Sequence, residues 1–248
     1  LGYLADEGFD LIWAIGFNMQ DAILEAARTH PVRRFAVVDV AFPSAPPNLL
    51  SVQFKEEEGS YLVGYLAGRM TETGRIGFLG GLDVDLIRKF QSGYAAGART
   101  ANPAVVVEVA FAESFLSYDR GRTVAEELYN RGCDILFHAA GSAGKGAIRY
   151  AKDAGKLIIG CDIDQSFLAP RSVLTSMIKE VDAVVYSVTE DFVQGKFEGG
   201  STVELGVADG VIGVAAIHHP KVPDALVAEV QSLQEQISNG EITVAAAS

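Results

Sequence analysis

The chain repeats itself. Residues 8–39, GFDLIWAIGFNMQDAILEAARTHPVRRFAVVD, and residues 132–165, GCDILFHAAGSAGKGAIRYAKDAGKLIIGCDIDQ, share their landmarks: Gly8 matches Gly132, Asp10 matches Asp134, Gly16 matches Gly141, and Asp39 falls within one position of Asp162. In the second copy an apolar run at 135–140 leads through a small-residue loop at 141–146 into a short helix with apolar Ala147, Ile148 and Ala151. A second apolar run then ends on Asp162. Strand, loop, helix, strand is the unit of a parallel α/β sheet, whose ligands sit beyond the carboxyl ends of the strands. Gly141, Ser142, Asp162 and Asp164 fall at those ends. A repeat of this kind predicts two similar lobes, and two lobes with facing strand ends make a cleft.

The rest of the chain extends this plan. Strands are predicted at 10–15, 35–40, 51–54, 76–79, 105–111, 173–178 and 203–206, with helices at 21–29, 56–70, 119–131, 181–193 and 223–238. Another helix follows the cap residue Asp83. Three prolines in AFPSAPPNLL exclude a helix or central strand at 41–50. A turn at Asp209-Gly210 suggests an antiparallel edge hairpin joining 203–206 to 211–217, and the tail 243–248 is expected to be weakly ordered. Crossings between lobes are expected at 71–75, 168–172 and 199–200. They assign 1–73 and 171–200 to the first lobe, and 74–170 and 201–248 to the second. The second copy of the repeat is preceded by a strand, a helix, another strand and another helix. The first has only seven residues before Gly8, which predicts a first lobe incomplete by roughly 50 residues at its amino terminus.

Composition narrows the function. With 20 basic against 32 acidic residues and a net charge of -12, the chain lacks the basic footprint of a nucleic-acid surface. No apolar run approaches the roughly 20 residues of a membrane helix. Cys133 and Cys161, the only cysteines, are expected far apart as buried free thiols. GSAGKG at 141–146 fails the spacing of a phosphate-binding P-loop, because Ala139 stands at its first glycine and Gly146 at its hydroxyl. The four histidines show no metal-ligand spacing, and no nucleophile-base set is indicated, so neither a metal, a cofactor nor catalysis is expected. His138, inside an apolar run, reads as a core histidine, and Lys55-Glu56-Glu57-Glu58 as a solvated helix start. Asp162 and Asp164 could bind a cation, act as an acid/base pair, accept hydrogen bonds from sugar hydroxyls, or cap a turn.

Several strings together narrow these alternatives. FKEEEGSYLVGYLAG (54–68), IGFLGGLDVDLIRKFQSGYAAG (76–97), ILFHAAGSAGKG (135–146), IGCDIDQSFLAP (159–170) and LTSMIKEVD (174–182) resemble the basic membrane protein family of substrate-binding lipoproteins. That family includes the purine nucleoside receptors of bacterial ABC importers. The resemblance implies a type I periplasmic-binding-protein fold, two Rossmann-like lobes joined by three crossovers, with a nucleoside in the cleft. It also implies ABC permease subunits as partners, the cell envelope as location, and membrane attachment only through a lipid anchor on an amino-terminal segment not in this sequence. By the same resemblance Asp162 matches the ribose-binding aspartate, Lys179 a polar contact from the hinge side, Gly141 a backbone contact, and Phe115 an aromatic covering the base. Phe17 and Asp83 sit at matching strand-end loops. The ligand-sensing domain of a transcription regulator, which shares the fold, is the alternative, and a nucleoside-cleaving enzyme is disfavoured.

Overall fold

The computed structural model describes residues 1–246. In chain order the elements begin α1 (Gly2–Asp6), β1 (Leu11–Ile15), α2 (Gln20–Thr29), β2 (Arg34–Val38), β3 (Leu49–Phe54), α3 (Glu56–Met70), β4 (Arg75–Gly80), α4 (Asp85–Ala101) and β5 (Val106–Phe111). They continue with α5 (Tyr118–Asn130), β6 (Ile135–Ala139), α6 (Gly141–Ala154), β7 (Leu157–Asp162), β8 (Val173–Lys179), α7 (Val181–Val193), β9 (Thr202–Leu205), β10 (Ile212–Val214) and α8 (Asp224–Ser238). The chain divides into two compact units, Leu1–Phe54 with Glu180–Leu205, and Lys55–Lys179 with the chain from Gly206 onward. It therefore passes between them three times.

The smaller unit holds a four-stranded sheet in the order β1-β2-β3-β9, parallel throughout. Ile12, Ile23, Phe35, Val37 and Leu49 form its core with α2. The apolar helix predicted at 181–193 is present as α7, but only Val184 of it is buried. In the larger unit six strands run β10-β8-β7-β6-β4-β5, all parallel except β10. One face carries an aromatic cluster in which the Phe137 ring lies 5.2 Å from Tyr94 and 5.7 Å from Phe78. The other buries Leu128, Leu136, Ile148 and Ile158 under α5 and α6.

These divisions differ from the expected crossings, and α3 supplies the reason. Gly64 and Gly68 on α3 face the Tyr94 and Ala98 carbonyls of α4, and Gly93 and Gly97 on α4 face the Glu57 and Tyr61 carbonyls of α3. A Cβ on Gly64 would overlap the Tyr94 carbonyl, and one on Gly97 the Tyr61 carbonyl. Gly59 gives the same closeness to the sheet, where a Cβ would come 2.9 Å from both Ile212 and Met177. Thus α3 belongs with α4, β8 and β10, so the first passage falls at Phe54 rather than at 71–75, and β8 lies in the larger unit.

Two further expectations are corrected. The predicted hairpin does not form, since β9 pairs in parallel with β3 while β10 pairs antiparallel with β8. Between them Val207 N–H donates to Glu58 Oε2 and Gly206 N–H to Asp209 Oδ2, both at 2.8 Å. These side chains hold a short 3-10 turn in place of a hairpin loop. The GSAGKG stretch is likewise not a loop, because α6 starts at Gly141. Its glycines admit neighbours: a Cβ on Gly144 would overlap the His138 ring and one on Gly146 the Tyr118 carbonyl. Of the tail, residues 243–246 carry no helix or strand, and 247 and 248 lie outside the described residues.

If the glycine crossing sets this arrangement, Gly97→Ala should destabilise the protein by about 1–3 kcal/mol through overpacking, although alanine is the better helix former by roughly 1 kcal/mol. Urea unfolding measures the sign. A stabilised variant would mean that helix propensity, not the close approach, governs this position.

Candidate functional site

Asp162 closes β7 in a strained conformation. Its φ of 69° is left-handed, which side chains other than glycine rarely adopt, and Ile163 N–H donates to Cys161 C=O across it at 2.9 Å. The residue is thus the centre of a three-residue turn of the rare, strained hand. Its carboxylate is exposed, and the buried Cys161 thiol points at Oδ1 from 3.5 Å. Burial holds that thiol protonated, far above the ordinary cysteine range. Cys133, also buried and free, is pushed up to about 12, first by burial and then by Glu108. Asp164 differs from Asp162, since its Oδ1 accepts Ser166 N–H at 2.9 Å and caps the following turn.

Neighbouring strand ends of the same unit contribute Gly81, Phe115 and Gly141. Ser114 N–H donates to Gly81 C=O at 3.0 Å, and the Phe115 ring lies so close to Gly81 that a Cβ there would overlap it. The Phe115 carbonyl accepts Ala143 N–H in the first turn of α6 at 3.2 Å. Gly141 takes a φ of 53° at the start of that helix, 3.1 Å from the same carbonyl measured from a would-be Cβ. An aromatic ring and a helix start are therefore fixed to each other through backbone.

Lys179 ends β8. Its ammonium lies 2.8 Å from Glu56 Oε1, with side chains only 5% and 0% exposed, and Lys89 Nζ stands 3.8 Å from the other Glu56 oxygen. The acidic run at 56–58 is thus not a solvated helix start: Glu56 and Glu57 are buried. A charge this deep requires a partner. Lys179 provides it across 123 residues of sequence, which is why local composition did not find Glu56.

The remaining candidates have their own surroundings. Asp83 is gripped by Arg88, whose Nε and second amino nitrogen lie 2.8 and 3.2 Å from its two oxygens, and that hydrogen bond holds its carboxyl below the usual range. It lines a 300 Å³ pocket with Gln91, Ser92, Val109 and Phe111. Phe17 belongs to the smaller unit, in a 3-10 turn packed against that core. His138 is buried, with Nε2 2.8 Å from Gln165 Oε1, and burial pushes its pKa down, so the ring is neutral. Asp39, the repeat's counterpart of Asp162, has a φ of 67° that reproduces the 69° of Asp162. Among the described residues no group of three or more His, Cys, Asp and Glu is placed to hold a metal, and no helix is long and apolar enough to cross a membrane.

Two parallel α/β units threaded three times by one chain define the type I periplasmic-binding-protein architecture. The description "Bmp: ABC transporter substrate-binding protein PnrA-like" matches residues 1–248. Basic membrane protein A1 of Borrelia garinii subsp. bavariensis is 38% identical over 247 residues, covering 97% of this chain and 73% of that protein. Basic membrane protein A of Borreliella burgdorferi is also 38% identical, over 97% of this chain and 72% of its own. An ABC transporter solute-binding protein from Aeropyrum pernix K1 has a TM-score of 0.89 at 24% identity, covering 99% of this chain and 79% of that one. A transcriptional activator of the comK gene from Bacillus halodurans reaches 0.84 at 23%, over 96% and 82%. The chain belongs to the Bmp family of ABC transporter substrate-binding proteins. It is a binding protein and not an enzyme.

Two outcomes follow from the geometry. Asp162→Gly should be more stable than Asp162→Ala by about 1 kcal/mol, because only glycine adopts the left-handed turn without cost. Equal thermal midpoints for the two would show that the turn relaxes. Lys179→Met should cost at most about 3–5 kcal/mol, because it removes the nearer cation of the buried Glu56 and leaves Lys89 at 3.8 Å, and adding Glu56→Gln should recover most of it. A double variant as unstable as Lys179→Met would mean that the loss lies in packing rather than in charge.

Proposed function

We propose that the protein is the extracytoplasmic solute-binding component of an ABC importer, that it passes its solute to membrane permease subunits, and that the solute is a purine nucleoside. The observation that carries the nucleoside reading is the Asp162 carboxylate, exposed at a strand end from a turn that fixes its direction. A carboxylate is acceptor-only and takes hydrogen bonds from two neighbouring hydroxyls at once, which a ribose supplies and a free base does not. Phe115 supports the same reading as an aromatic surface for the base, where stacking contributes roughly 1–3 kcal/mol. Lys179 and the Gly141 backbone complete the polar set. Phe17, Asp83 and Asp39 are secondary candidates, and Arg88 already engages Asp83. A ligand-sensing domain of a regulator is the second reading, prompted by the comK activator's fold. Identity of 38% to basic membrane proteins favours the transporter.

Titration calorimetry with adenosine, guanosine and their free bases tests this. Nucleosides should bind well above the bases, and Asp162→Ala should weaken them by about 1.5–3 kcal/mol, the contribution of a charged acceptor. Bases that bind as tightly as nucleosides would remove the ribose role.

A further inference from the structure

A left-handed aspartate persists only where its surroundings over-determine it, and around Asp162 one side chain does most of the holding. Gln165 Oε1 accepts Cys161 N–H at 3.1 Å, so the side chain reaches back across the turn to the residue before Asp162. The Gln165 backbone N–H is fixed in turn by Ser176 Oγ on β8 at 3.0 Å. Because Gln165 Oε1 is the acceptor for Cys161 N–H, neutral His138 donates to it through Nε2–H at 2.8 Å. Both residues are buried.

Two glycines clear the space for this clamp. A Cβ on Gly160 would stand 2.7 Å from Gln165 Oε1 and 3.0 Å from its Cβ, and one on Gly144 would overlap the His138 ring. Gly160 also lies at the register irregularity between β7 and β8, where the strands regain pairing at Gly160 and Ser176. A histidine, a serine and two glycines from β6, β8, α6 and β7 thus place the one glutamine, in the turn after β7, whose side chain takes the Cys161 N–H. We propose that Gln165, oriented by His138, is the positioning residue that holds the Asp162 turn in its ligand-ready conformation. The proposal rests on the reading of Asp162 as the ribose acceptor.

Adenosine and adenine serve as probes on the whole protein. Gln165→Met keeps the length of the side chain and removes the acceptor, whereas Gln165→Glu keeps an acceptor oxygen for both contacts. The methionine variant should bind adenosine at least about tenfold more weakly with adenine unchanged. Hydrogen exchange at the Cys161 and Ile163 amides should accelerate, and the glutamate variant should recover both properties at pH 7. Equal losses for adenosine and adenine, or wild-type affinity and exchange in the methionine variant, would overturn the proposal. Asp162→Ala is measured in parallel. If it binds adenosine as the wild type does, the nucleoside reading fails, while the exchange data still decide whether Gln165 holds the turn. Should the methionine variant not fold, the glutamate variant decides: protected amides with adenosine affinity near wild type support the clamp, and lost protection or a tenfold loss of affinity refutes it.

Discussion

The larger unit depends on how closely two helices approach. Glycines four residues apart on α3 and again on α4 remove the side chains that would keep the backbones separated, and each helix fills the other's gap with carbonyl groups. Such closeness gains dispersion contacts along both helices. It also commits α3 to one neighbour. Once α3 is set against α4, Gly59 must lie over Met177 and Ile212, and the first turn of α3 comes to rest beside the end of β8. The burial of Glu56, and hence its pairing with Lys179, follows from that placement. So does the anchoring of the last passage between units, where Glu58 accepts Val207 N–H.

The same dependence explains what the sequence reveals and what it hides. The repeat was legible because it is written in residues with special backbone needs. Gly8 and Gly132 share φ values of 96° and 94°, and Asp39 and Asp162 share 67° and 69°. A matched pattern of left-handed positions leaves a trace in sequence, since few residue types tolerate it. The order of strands and helices was legible for the related reason that buried parallel strands read as apolar runs. Partners were not. Nothing local distinguishes a solvated KEEE helix start from one whose first glutamate is buried, because the cation that makes the difference lies on another strand. The hairpin expectation failed likewise: Asp209-Gly210 is a turn, but the two strands flanking it belong to different sheets. The small residues at 141–146 suggest a loop, yet they lie in the first turns of α6, where Gly144 and Gly146 admit His138 and the Tyr118 carbonyl, neighbours that only tertiary structure identifies.

Asp162 and Lys179 show two ways of fixing a polar group at a strand end. Lys179 is held by charge: a buried carboxylate neutralises it, and the pair is costly to break because it is the closest ion contact of a buried Glu56 that otherwise has Lys89 at 3.8 Å among the described ion pairs. Asp162 is held by backbone geometry, with its carboxylate left exposed. The first arrangement ties a proposed ligand contact to the stability of the whole unit. The second confines its cost to one turn, about 1–3 kcal/mol for a residue in a sparsely populated conformation.

That difference bears on how such a site could change its solute. A substitution at Lys179 must be answered at Glu56, and Glu56 is fixed by the helix crossing, so that position is coupled to the core. Asp162 has no such obligation to a charge. The strain it carries is local, and a glycine there would relieve it. An aspartate in a place where glycine fits better accords with the proposed ligand role of its side chain. Gly132, by contrast, meets the same backbone demand with no side chain at all. Within one unit, two left-handed positions thus differ, Gly132 carrying no side chain and Asp162 an exposed carboxylate.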